Sequence, residues 1–184
     1  MKKKVNIHIG EFYASRRPVE IHTILGSCVG VCLYDPVSKV GGMNHILLPG
    51  RASFKAFDVP ARFGINAMEL LINALIAKGA DRRRIVAKVF GGGRILPGIS
   101  REFRVGAKNI SFIRAFLKNE GIRVVSRDLG GEETRKIYFH TDTGVVFLKR
   151  LKWDNSYLEI ARQEREKLKK LREDVKKAAE VILF

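Results

Sequence analysis

Cys28, set directly after Gly26-Ser27, and His45, seventeen positions later with Asn44 beside it, are the residues of this chain whose types could do chemistry together. A thiol is a poor nucleophile until it ionises, and its unperturbed pKa is about 8.5. A neighbouring imidazole can accept the proton and leave a thiolate able to attack an acyl carbon. A tight glycine turn leading into a helix would add outward-pointing backbone N–H groups for the thiolate and for a developing oxyanion. The missing Cβ of Gly26 leaves room for a substrate carbonyl. Spacing alone also fits a duller assignment, a small buried thiol and a core histidine satisfied by a backbone carbonyl. That assignment suits Cys32, which Val29, Val31 and Leu33 surround.

The elements around these residues follow from hydrophobic pattern. Val5 to Gly10 alternates like a strand. Ile21 to Tyr34 predicts a strand, a tight turn at Gly26-Ser27, then a short helix or strand carrying both cysteines, ended by Asp35-Pro36. Val40 to Leu48 reads as a further strand closed by Pro49-Gly50, and Arg51 to Pro60 as a loop. Phe63 to Lys78 and Gly106 to Asn119 carry apolar residues at helical spacing, stopped by Gly79 and Gly121. Ile85 to Phe90, Ile122 to Ser126, Ile137 to His140 and Val145 to Leu148 read as strands. From Asp154 to Val181 there is no Gly or Pro, and Leu168, Leu171, Val175, Ala178 and Ile182 repeat at a 3-4-3-4 spacing. This predicts one long C-terminal helix whose stripe packs on its own domain or on a partner helix. The expected division is a domain over residues 1–152 and a helical extension over 153–184.

Composition limits the rest. Hydrophobic residues make up 46% of 184 and charged residues 29%, enough for a packed core. No apolar run reaches the roughly 18–20 residues that span a bilayer, so the chain is not expected to be membrane-embedded. Its basic start runs into a strand pattern instead of a signal-peptide apolar segment. The two cysteines are too few for a disulfide scaffold and do not form a CxxC pair. Free thiols fit the cytoplasm. The net charge of +16 fits a Lys/Arg-rich surface, or attraction to an acidic partner. A nucleic-acid reading rests on that charge alone, and no nucleic-acid partner is expected.

Read whole, the segment Thr23-Ile24-Leu25-Gly26-Ser27-Cys28-Val29-Gly30-Val31-Cys32-Leu33-Tyr34-Asp35-Pro36, followed by Val40-Gly41-Gly42-Met43-Asn44-His45-Ile46-Leu47-Leu48-Pro49, closely resembles the signature of the CheD family. Val89-Phe90-Gly91-Gly92-Gly93, Val105-Gly106-Ala107-Lys108-Asn109, Asp128-Leu129-Gly130-Gly131 and Asp142-Thr143-Gly144-Val145-Val146 resemble later family segments, in order. The resemblance runs from about Val5 to Lys149.

It implies an α+β fold, layered helix/sheet/sheet/helix with mixed sheets, to which the C-terminal helix is additional. The activity implied is protein-glutamine deamidation in methyl-accepting chemotaxis receptors, yielding glutamate and ammonia. The catalytic Cys maps onto Cys28 and the His onto His45. The family's orienting Thr maps onto Thr23, but the family often has one more residue before the Cys, so His22 competes for that role. Gly26, Ser27 and Asn44 are the expected substrate-binding residues. No cofactor and no metal is called for. A CheC-type phosphatase is implied as a second partner, and an adaptor with secondary catalysis is the rival reading.

Two other signals carry less. Gly91-Gly92-Gly93-Arg94 follows a strand but lacks the spacing of a P-loop or dinucleotide site. Neither do His8, His22, His45 and His140 show metal-ligand spacing.

Overall fold

The strands are β1 (Lys3–Asn6), β2 (Phe12–Ser15), β3 (Val19–Leu25), β4 (Val29–Asp35), β5 (Val40–Ile46), β6 (Val86–Gly91), β7 (Arg123–Leu129), β8 (Thr134–His140) and β9 (Val146–Leu151). The helices are α1 (Val59–Ile76), α2 (Val105–Asn119) and α3 (Asn155–Val181). The computed structural model describes residues 2–48, 59–94, 105–151 and 155–181.

One sheet has the order β1-β3-β8-β9 and the other β2-β5-β4-β6-β7. The β1–β3 and β6–β7 pairs are parallel and the rest antiparallel, so both sheets are mixed.

Side-chain alternation assigns the two faces of each strand. In β3, Val19, Ile21, Thr23 and Leu25 are buried while Glu20, His22 and Ile24 are only half-buried. β4 is instead apolar on both faces. Its Cys32 joins a cluster with Ile21, Leu25, Met43, Ile137 and Phe139, drawn from both sheets. Its Val31 and Leu33 join Met68, Leu71, Ile72 and Phe112 of α1 and α2. That double burial explains the unbroken apolar run Val29–Leu33, which by pattern could be either helix or strand. The residues after Cys28 are therefore a strand, not the helix entered from a glycine turn. A helix dipole plays no part at Cys28.

Other boundaries differ modestly. β2 was not expected, because four residues give too short a pattern. The expected loop 51–60 lies outside the described residues up to 58. Val59 and Pro60 already open α1, where a proline's missing N–H costs nothing. α3 covers the expected C-terminal helix. Leu168 is buried and Leu171 packs against the inter-sheet cluster, so this part of the stripe turns onto its own chain.

Candidate active site

β3 belongs to one sheet and β4 to the other, so Gly26, Ser27 and Cys28 carry the chain between them. Each carbonyl of this crossing is tied down. Gly26 O accepts from the Gly93 N–H at 2.8 Å and Cys28 O from the Gly92 N–H at 2.7 Å. Ser27 O accepts from Asn109 Nδ2 of α2 at 2.9 Å. In a trans peptide the following N–H points opposite to its carbonyl. Pinning the Gly26 and Ser27 carbonyls therefore turns the N–H groups of Ser27 and Cys28 to the other side. Gly91 permits the arrangement: its φ of +104° lies where side chains are rarely tolerated, and a Cβ there would collide with Cys28 O.

Thr23 and His45 meet beneath this turn. Thr23 Oγ1 donates to Ile7 O at 2.7 Å and lies 2.8 Å from His45 Nδ1. A hydroxyl has one proton, already given to Ile7, so Thr23 accepts from Nδ1–H. That tautomer leaves Nε2 with its lone pair, and Nε2 is buried without a hydrogen-bond partner. A His45 nitrogen, Cys28 Sγ and a Glu164 carboxylate oxygen all lie within 4.8 Å of one another. Burial, then the charge of His8, lowers the His45 pKa to about 3. Burial first, then the charge and hydrogen bond of Glu164, push the Cys28 thiol well up. Both shifts favour a neutral thiol beside a neutral imidazole.

Glu164, from α3, fills the space in front of the turn. Its Oε1 accepts from the N–H groups of Gly26 (3.1 Å) and Cys28 (3.3 Å). Its Oε2 accepts from the Ser27 N–H (3.0 Å) and Ser27 Oγ (2.6 Å). Cysteine, histidine and a carboxylate this close have the ligand types of a thiophilic cation site. Here both carboxylate oxygens are engaged by four donors. Clefts of about 420 Å³ and 280 Å³ reach the site, each lined by His45, Glu11 and Lys167.

The structure thus brings together Cys28, His45, Thr23, Gly26 and Ser27. His22 lies on the other face of β3, its ring 6.0 Å from that of Tyr138. Cys32 is buried in β4, and burial pushes its thiol up. Asn44 lines a cleft with His45, and its amide is engaged: Oδ1 accepts from the Val31 N–H, and Nδ2 donates to Ala67 O and Met68 Sδ, so it braces α1 against the sheet. Sequence reasoning missed Glu164 and Asn109. For Glu164 a signal existed: it lies one helical turn before Leu168, an acidic residue on the apolar stripe.

Comparison with known proteins follows the same lines. Residues 47–150 match the family model CheD, described as CheD chemotactic sensory transduction. A Thiobacillus denitrificans protein named probable chemoreceptor glutamine deamidase CheD is 44% identical over 177 residues, covering 95% of this chain and 86% of its own. A Chromobacterium violaceum protein, probable chemoreceptor glutamine deamidase CheD 2, is 49% identical over 149 residues, covering 80% and 74%. A Methylobacillus flagellatus protein with the first of these names is 43% identical over 178 residues, covering 95% and 86%.

Proposed function

The chain belongs to the CheD family, and from that premise we propose that it deamidates glutamine side chains of chemoreceptors, with Cys28 as nucleophile. The observation that carries the mechanism is the Thr23–His45 hydrogen bond, which leaves Nε2 free and buried on a ring that brings a nitrogen within 4.8 Å of the thiol. Nε2 takes the thiol proton. The sulfur attacks the carboxamide carbon, and the N–H groups of the 26–28 turn receive the oxyanion. Their present hold on a carboxylate supports that role, since they already solvate a negative oxygen pair. Protonated His45 then gives its proton to the leaving nitrogen, ammonia departs, and water hydrolyses the thioester. Thr23 acts as a positioning residue for the ring. Nothing in this sequence of steps requires a metal or an organic cofactor.

Family membership also supports a proposal for architecture, location and partners. The layers run helix, sheet, sheet, helix, supported by the two apolar clusters on opposite sides of β4. Residues 1–152 form the deamidase domain and 153–184 an extension. The protein works in the cytoplasm; no helix among the described residues is long and apolar enough to cross a membrane. A CheC-type phosphatase is a second partner. The test is ammonia release and a mass gain of about one dalton on receptor peptides containing glutamine. Wild type should produce both and Cys28→Ala neither. Peptide binding by wild type without either signal would replace catalysis with an adaptor role.

A further inference from the structure

Helix α3 brings a glutamate side chain to the place where the proposed reaction would leave one. Glu164 is a backbone-borne γ-carboxylate on a helix, and deamidation of a helix-borne glutamine gives the same group. Its two oxygens take every N–H of the 26–28 turn, and the Ser27 hydroxyl besides. It is itself buried, although glutamate is seldom buried without a partner cation. Among the described residues no lysine or arginine pairs with it. Leu168, one turn on, is seated in the inter-sheet cluster, and Leu171 packs against the same cluster. Two clefts share His45 and Lys167, and this helix lines both, one through Glu164 and the other through Leu171, so α3 forms part of the wall beside the imidazole on each side.

We propose that α3 is a built-in product mimic: Glu164 occupies the carboxamide position, and an incoming substrate must displace the helix before Cys28 can react. This rests on the deamidase reading for what the groove receives. The block has two parts. The carboxylate fills the oxyanion position, and its negative charge opposes formation of a thiolate at Cys28. The second part is consistent with the upward push on that thiol. Among the described side chains of the helix, Leu168 and Leu171 are its apolar anchors, and those outside Glu164, Leu168 and Leu171 are exposed. Exchange with a competing helix is therefore a matter of relative affinity.

The same geometry makes a specific chemical demand. In Glu164→Gln the chain would present its own nucleus of substrate to Cys28. The sulfur would add to the side-chain carbon of residue 164, the C–N bond would break with His45 protonating the nitrogen, and water would cleave the thioester. One water is consumed and one ammonia released, restoring glutamate.

The experiment uses the full chain. Cys28 alkylation by iodoacetamide at neutral pH is measured by mass spectrometry in wild type, Glu164→Ala and Leu168→Asp. The last keeps Glu164 but removes the helix's anchor. Both variants should react about tenfold faster than wild type or more, as expected when a thiolate-suppressing charge and cover are lost. Purified Glu164→Gln should revert to glutamate at position 164, and Glu164→Gln/Cys28→Ala should retain glutamine. Alkylation rates within about twofold of wild type in both single variants would overturn the proposal. So would a Glu164→Ala protein that alkylates readily but has lost receptor-peptide deamidation relative to wild type, because Glu164 would then be a member of the machinery. Faster alkylation with no deamidation by any form would leave the plug standing and sink the deamidase reading instead.

Discussion

Strand β4 has a buried carboxylate at each end, and the two are held in different ways. At its finish, Asp35 accepts from the Val37 and Asp81 N–H groups and from Arg84 Nε and Nη2. Burial alone would raise this carboxyl, but the hydrogen bonds from Arg84, Asp81 and Val37 outweigh it and hold it well below the usual range. At its start, Glu164 accepts from backbone N–H groups, a hydroxyl and the Cys28 thiol, and faces an imidazole. Asp35 lies within three residues of the hairpin it braces, whereas Glu164 comes from 136 positions beyond Cys28. A carboxylate locked to a guanidinium is architecture. One held by neutral donors, from within a C-terminal helix, is what the proposed displacement would release.

Substitutions at the two ends should divide accordingly, into chemistry at one and stability at the other. The largest effect belongs to Cys28→Ala, which should lower deamidation at least about 10⁴-fold while thermal stability changes little. Residual turnover within tenfold of wild type would move the nucleophile elsewhere. At the far end, Asp35→Asn should cost about 2–3 kcal/mol of folding stability in denaturant titration, reduced from the fully buried case because Arg84 is partly solvated. Its Cys28 alkylation rate should stay at the wild-type value; a large change there would mean the two ends are coupled. Thr23→Val should lower kcat about tenfold or more with little change in KM, and Thr23→Ser should recover most of it. Equal losses in both variants would assign Thr23 a packing role only.

Acid separates the ends by a smaller amount. His45 is held down to about 3 in the folded chain, against about 6.5 when unfolded. Between those values the unfolded chain binds a proton that the folded one refuses. The stability from this group is complete above about 6.5 and falls as pH drops, by at most about 1.4 kcal/mol per unit. Asp35, also depressed, adds a loss of the same sign in more acid solution. His45→Gln should flatten the slope between pH 6 and 4, within limits set by titration curves at about those two values. An unchanged slope would show that the ring is not the group responsible. Smallest of all, Ser27→Ala removes one of four donors to the site and should change kcat by about threefold.

Much of this was legible in the chain itself. Cys28, His45 and Thr23 were named from a collinear pattern, and the strand pattern of β3, with Thr23 inward and His22 outward, already contained the geometric choice between them. Of the helix or strand expected after the glycine turn the strand forms, and the choice stays open in the sequence because an apolar run buried on both faces carries no period to distinguish the two. Asn44 stands beside His45 in β5, and the strand's alternation turns its amide toward α1, a bracing role that adjacency alone does not reveal. Glu164 and Asn109 were missed for a common reason. Most of their partners are backbone groups, of the 26–28 turn and of Leu48, and main-chain donors and acceptors leave no trace in residue identity.

The three tied carbonyls of that turn also bear on how the chain spends its cohesion. Water meets a new anion by rotating its molecules, and that rotation costs free energy each time. Here the dipoles were aimed once, when β6 and α2 came to rest against the crossing. In the proposed reaction, assembly of the scaffold and solvation of a transient charge would thus draw on the same bonds, so damage to Asn109 or the Gly92-Gly93 corner would blunt both together.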